Sequence, residues 1–169
     1  MAGVSAAILI VRLLLGGALI VHGSQKLFGW FGGGGPSKTG AFFEQIGFRP
    51  GVPFAVAAGL GEFGGGALTL LGLGGAAGPA LIILVMLVAI FTVHISKGFL
   101  SSNGGWELPG MNVAAALAVA FLGNGAYSLD GGFGLHFLQQ PNQVWIAIGC
   151  AILLAALNVV VRRPAPSAT

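Results

Sequence analysis

The sequence predicts an all-α polytopic membrane protein, a four-helix transmembrane bundle followed by a fifth, C-terminal transmembrane helix. Three observations predict it. Only 7% of the 169 residues are charged and 56% are hydrophobic, with a mean hydropathy of +0.94, whereas a soluble domain carries about 25% charged residues. Apolar runs long enough to cross a hydrocarbon core about 30 Å thick recur along the chain. No run shows the period-two alternation of a strand, and in lipid a helix satisfies its backbone hydrogen bonds within one segment.

The first span covers Val4–Phe28. Its N-terminal flank has no Lys or Arg and Arg12 interrupts the run, so it reads as a retained span rather than a signal peptide. It stops at Gly29-Trp30-Phe31 and the glycines 32–35, with Trp30 as an interfacial anchor. In Thr39–Phe48 the apolar Phe42, Phe43 and Ile46 recur at helical spacing, which suits a short helix lying on the membrane surface. The second span, Pro53–Leu73, begins with a proline in its first turn. Gly72, Gly74, Gly75 and Gly78-Pro79 form a tight hairpin into the third span, Ala80–Phe99. After the polar loop Ser101–Gly110 comes a short fourth span, Met111–Tyr127, then the glycine-rich connector Asp130–Asn142 and the fifth span, Val144–Val161. The expected organisation is therefore a bundle over residues 4–130, an added helix over 143–161 and a disordered tail over 164–169.

Five crossings place the two ends of the chain on opposite faces. Lys26, Lys38, Arg49, Lys97, Arg162 and Arg163 gather on or near the face that carries the loops 28–53 and 101–110 and the C-terminus, here face B. By the positive-inside rule face B is cytoplasmic and the N-terminus lies outside. The scattered cations form no nucleic-acid patch. Cys150, the single cysteine, excludes a disulfide framework, a CxxC pair and an iron–sulfur ligand set. The glycine strings of the second span lack the preceding strand of a nucleotide-binding fingerprint and read as close helix packing, with a face open to a homo-oligomer.

Ionisable residues inside membrane spans are costly and mark sites. His22 and Lys26 lie four apart, on one side of the first helix near face B. Glu62 enters the same half from the second span, and His94 and Lys97 occupy the last turns of the third, below Glu107 in the following loop. His22, Glu62 and His94 are the candidate catalytic groups, and Lys26, Lys97 and Glu107 the candidate cofactor-binding groups. The competing reading for each lysine is a side chain that snorkels to headgroups. Arg12, toward face A, is expected to pair with Asp130 or nearby carbonyls, a structural arrangement. No set of three or four ligands has metal-site spacing, and His22 with His94 is too little to indicate haem.

The segments Arg12–Gly16 (RLLLG), Val21–Gly29 (VHGSQKLFG), Gly61–Gly65 (GEFGG), Phe91–His94 (FTVH), Lys97–Phe99 (KGF), Gly104–Glu107 (GGWE) and Gly123–Asp130 (GNGAYSLD) together resemble the DoxX family of small bacterial membrane proteins. The resemblance implies a four-helix membrane core in a bacterial inner (plasma) membrane. It also implies kinship with membrane subunits like those of thiosulfate:quinone oxidoreductase, hence a quinone ligand and a redox partner protein. The fifth span lies outside it.

Three functions are expected to compete: a quinone-linked redox subunit whose electron donor is a partner chain, a non-enzymatic membrane anchor for a redox or stress-response complex, and a small-solute transporter. A quinone headgroup requires hydrogen-bonding groups that exchange protons beside an apolar slot, which favours the first.

Overall fold

The computed structural model describes residues 2–163, and the expected disordered tail at 164–169 lies outside the described residues. Five helices run back and forth: α1 (Ala2–Leu27), α3 (Gly51–Leu71), α4 (Ala77–Ala89), α5 (Glu107–Leu122) and α7 (Pro141–Val161). Two short helices join them, α2 (Gly35–Gln45) between α1 and α3 and α6 (Leu129–Gly132) after α5. No strand occurs among the described residues.

Helices α1, α3 and α7, and α4 counted through to Lys97, are each long and apolar enough to cross a membrane. Helix α5 has 16 residues, about 24 Å at 1.5 Å per residue, and is apolar but shorter than these four. Large apolar side chains such as Leu13, Leu14, Leu60, Ile146 and Leu153 are exposed on the outside. That pattern inverts a soluble protein's surface and is the lipid-facing surface of a membrane protein.

The bundle is wound in sequence order. Helix α3 packs on α1, α4 on α3 and α5 on α4, and α5 returns to α1. Helix α7 lies outside this ring against α4 and burials at Val144, Ile148, Ala151 and Ala155 repeat every three or four residues along it. Its inner face joins the common core of Leu19, Ile82, Ile83, Met86 and Ala116. Helix α4 thus has neighbours on three sides, which explains why its inner surface is almost entirely apolar.

Glycine makes the tightest of these seams. Gly16 and Gly23 on α1 oppose Gly66 and Gly59 on α3, each pair seven residues apart and so on one helical face. A Cβ on Gly16 would stand 2.6 Å from the Gly66 carbonyl oxygen, and one on Gly23 would stand 2.8 Å from that of Gly59. Gly61 and Gly65 face Val85 and Leu81 on α4 in the same way. The second-span glycines that read as close helix packing, Gly59, Gly61, Gly65 and Gly66, do serve packing within the chain. Gly16→Ala and Gly23→Ala should each destabilise the bundle by about 1–3 kcal/mol through overpacking. Gly17→Ala and Gly64→Ala, where a Cβ meets nothing within 4 Å, should leave the thermal unfolding midpoint in detergent unchanged or slightly raised.

Two elements differ from the sequence reading. The short helix of the first loop begins at Gly35 rather than Thr39, with Pro36 in its first turn, and it packs against α3 and α1. The third span is not a uniform α-helix: Ile90–His94 form a π turn and Ile95–Lys97 a 3₁₀ turn. Widening the helix by one residue per turn rotates everything beyond it, and such turns recur at functional sites.

Candidate functional site

The face B half of the bundle contains a cavity of about 430 Å³. Helices α1, α3, α4, α5 and α7 all contribute to its wall, and α2 with the following turn covers it with Phe42, Phe43, Ile46 and Phe48. Phe43, Phe48 and Phe54 stack in series, with centroids 5.7 and 5.0 Å apart, and Phe48 is almost wholly buried. Phe43 of α2 and Phe48 after it therefore form a roof, while Phe42 keeps an exposed face. The C-terminal end of α7 ties down the edge of this roof, since the Arg163 N–H donates to the Gly47 carbonyl at 2.9 Å.

Four of the six residues singled out from the sequence line this one cavity: His22 and Lys26 from α1, Glu62 from α3 and His94 from the π turn. Glu62 is 6% exposed, and its Oε2 accepts from the Lys26 ammonium at 2.5 Å. The side chain of Lys26 keeps 24% of its surface exposed, so the pair sits where the cavity wall meets a more open region. His22 is exposed and stands at the rim, its Nδ1 3.2 Å from Gln25 Oε1. Gln25 in turn donates from Nε2 to the Phe31 carbonyl at 3.2 Å. His94 is half-buried, with Nδ1 2.6 Å from the Gly104 carbonyl oxygen.

The structure does not bring Lys97 and Glu107 to the cavity. Lys97 follows the π turn, is exposed, and lies beside Gly104. Glu107 opens α5, and its Oε2 accepts from the Ser101 N–H at 2.8 Å, closing the loop 101–107. A charge near a helix end reveals which end of the bundle it occupies, and these two share the site's end without sharing its direction.

Three polar residues of the wall were not singled out from the sequence. Thr92 lies in the π turn and donates from Oγ to the Val88 carbonyl at 2.7 Å. Asn112 of α5 donates from Nδ2 to Met86 Sδ at 3.6 Å, and Asn158 of α7 donates to the Leu154 carbonyl at 2.9 Å. A neutral amide or hydroxyl inside an apolar run is a weak sequence signal, because a bond to the carbonyl four residues back satisfies it locally. Among the described residues no three His, Cys, Asp or Glu side chains come together as a metal-ligand set, and Cys150 is exposed.

A second polar centre lies at face A. Arg12 is 1% exposed and makes no direct bond to Asp130. Its guanidinium instead donates to four carbonyls: Thr69 at 2.9 Å, Asn124 at 2.6 Å, Tyr127 at 2.8 Å and Leu70 at 2.8 Å. Two of these are C-terminal carbonyls of α3, which have no partner within their helix. Asp130, fully buried, accepts from the Gly74 and Gly75 N–H groups at 2.9 and 2.7 Å and from the Asn124 amide at 2.8 Å. Of the two partners expected for Arg12, the carbonyls are the ones it takes. These bonds cross between elements, so this centre is a clamp joining α1, the α3–α4 hairpin and the segment after α5.

Burial pushes the Asp130 carboxyl up, but the Gly74 and Gly75 N–H groups, with the Asn124 and Gln139 amides, outweigh it, so its pKa lies below the ordinary aspartate value. A carboxyl depressed on folding contributes stability above its unfolded pKa, and that contribution is lost as pH falls through the folded value. The midpoint of thermal unfolding should therefore decline below about pH 4. Asp130→Asn should lower the midpoint at neutral pH and flatten that acid decline.

The DoxX family model matches residues 7–95, more than half of the chain, from α1 to the 3₁₀ turn that ends α4. Neither a curated protein nor a solved structure matches the chain. The match covers α1, α3 and the α4 π turn, and so His22, Lys26, Glu62 and His94, while α5 and α7 add Asn112 and Asn158 beyond it. On this match and the membrane-spanning bundle that goes with it, the chain belongs to the DoxX family of membrane proteins.

Proposed function

We propose that this protein is the membrane subunit of a quinone-linked redox assembly and that the face B cavity takes the quinone headgroup. One observation carries the reading: a buried carboxylate paired with a partly exposed ammonium, and two imidazoles, from three helices line a single apolar, aromatic-roofed cavity. Its volume of about 430 Å³ falls in the range of small-molecule sites, which are mostly apolar with a few convergent polar groups. A substituted ring fits those walls, and the groups that fit its oxygens are at hand.

A quinone, when bound, supplies two-electron, two-proton chemistry. The chain's own residues bind and manage protons. Phe43, Phe48 and Phe54 give the apolar surface for the ring and keep water out. Glu62 and the two imidazoles are the groups that hold or pass a proton, and Lys26 is the hydrogen-bonded partner that orients the Glu62 carboxyl group. Electrons reach the site from a partner protein, since one exposed cysteine offers no internal relay. The membrane in this reading is a bacterial plasma membrane with face B cytoplasmic.

The test is the lipophilic material that accompanies the purified protein in mild detergent. Quinone should be extracted in amounts comparable to the protein, and Glu62→Gln, a near-isosteric change, should deplete it at least about five-fold (on the order of 1 kcal/mol of binding) at unchanged folded yield. Folded wild-type protein free of quinone, and unable to bind it when supplied, would leave the bundle as an anchor for a partner and end the redox reading.

A further inference from the structure

Building on the quinone reading, we infer that the cavity is built to receive hydrogen-bond donors and therefore binds the dihydroxy form, the quinol, in preference to the quinone. The inference comes from where the N–H and O–H groups of the wall already point.

His94 Nδ1 faces a carbonyl oxygen at 2.6 Å. A carbonyl only accepts, so Nδ1 carries the hydrogen, and in the neutral imidazole Nε2 is a lone pair. His22 reaches the same state through a relay. Gln25 Nε2 donates to the Phe31 carbonyl, which turns Gln25 Oε1 toward His22 and fixes the hydrogen on Nδ1. Thr92 spends its only O–H on the Val88 carbonyl, leaving its oxygen to accept. Asn112 and Asn158 each direct their amide nitrogen at a protein acceptor, which leaves each Oδ1 without a protein donor among the described residues. Glu62 uses Oε2 for Lys26, and its Oε1 has no protein donor among the described residues.

Six wall groups thus present acceptors, while the donors that remain are the further N–H groups of Lys26 and the second N–H of each amide. A quinone offers acceptors of its own. Set against this wall, its carbonyls meet lone pairs at most positions, and an unpaired polar contact in a desolvated site is costly. A quinol offers two O–H donors, and each finds an acceptor on this wall. Sites that hydrogen-bond a ligand hydroxyl reject the analogue lacking it far more strongly than an apolar pocket rejects a change in shape.

The experiment measures binding to the full chain in detergent, anaerobically at pH 8.5, where a neutral imidazole is the ordinary form. Three probes share one ring and tail: decyl-benzoquinol, decyl-benzoquinone, and the quinol with both hydroxyls methylated. Isothermal titration calorimetry should show the quinol binding at least about ten-fold more tightly than the quinone, about 1.4 kcal/mol, with the dimethyl ether weaker still. Equal affinities, a tighter quinone, or full retention of the dimethyl ether would overturn this inference and leave the quinone site in place. Failure of all three probes to bind would instead remove the quinone reading on which it rests.

Discussion

Arg12→Leu is expected to be the most damaging single substitution in the chain. The guanidinium occupies a 1% exposed position and satisfies four carbonyls drawn from α3 and from the segment after α5. Leucine fills part of the volume and satisfies none of them. A buried acceptor left without a donor costs about 1–3 kcal/mol. Several together should remove on the order of 4 kcal/mol or more, a large share of the roughly 5–15 kcal/mol that holds a typical domain folded. Arg12→Lys should recover only part of the loss, because one ammonium has three donors and no planar fork to reach four fixed oxygens. Thermal unfolding and folded yield in detergent measure both variants, and full recovery by lysine would contradict the clamp.

Lys26→Met should produce the second-largest loss. It leaves the Glu62 carboxylate 6% exposed beside a cavity whose wall is otherwise mostly apolar. Breaking a buried pair by removing one member typically costs about 3–5 kcal/mol. The partial exposure of Lys26 brings the expectation down to about 2–3 kcal/mol. Adding Glu62→Gln to Lys26→Met should restore most of the stability, since the orphaned charge is then gone. If the two substitutions simply add, the residues do not act as a pair. The double variant should still lack quinone, which separates holding the bundle together from holding the ligand.

The four spans were legible because hydrophobicity is a bulk property of a segment, and each of those runs is long and apolar. Depth was legible for the same reason. Counting residues from a helix end placed His22, Lys26, Glu62 and His94 at one level, and the structure puts all four on one cavity. Direction was not legible. Lys97 lies at the same end of the bundle and Glu107 in the loop above it, yet the π turn at Ile90–His94 rotates the chain beyond it, and Glu107 is taken up by Ser101. No local pattern announces a π turn, because it answers to how α4 packs between α3, α5 and α7.

The roof was half legible. The spacing of Phe42, Phe43 and Ile46 indicated an amphipathic helix, but an apolar face reads the same whether lipid or protein covers it. Helix α7 illustrates the converse. Its run of apolar residues showed that it spans, and nothing in that run showed that Asn158 would turn toward a site built mainly from α1, α3 and α4.

The most direct test of the central claim, that the face B cavity of this membrane bundle holds a quinone headgroup, is photoaffinity labelling. The protein would be reconstituted in lipid, labelled with a short-tailed azidoquinone, and the modified residues mapped by mass spectrometry. Labels should fall on cavity residues such as Phe48, Ala58, Val88 and Asn158 and disappear when excess unlabelled quinone is added. Labels spread over lipid-facing positions such as Leu13, Leu14 and Leu153, unaffected by competitor, would contradict it.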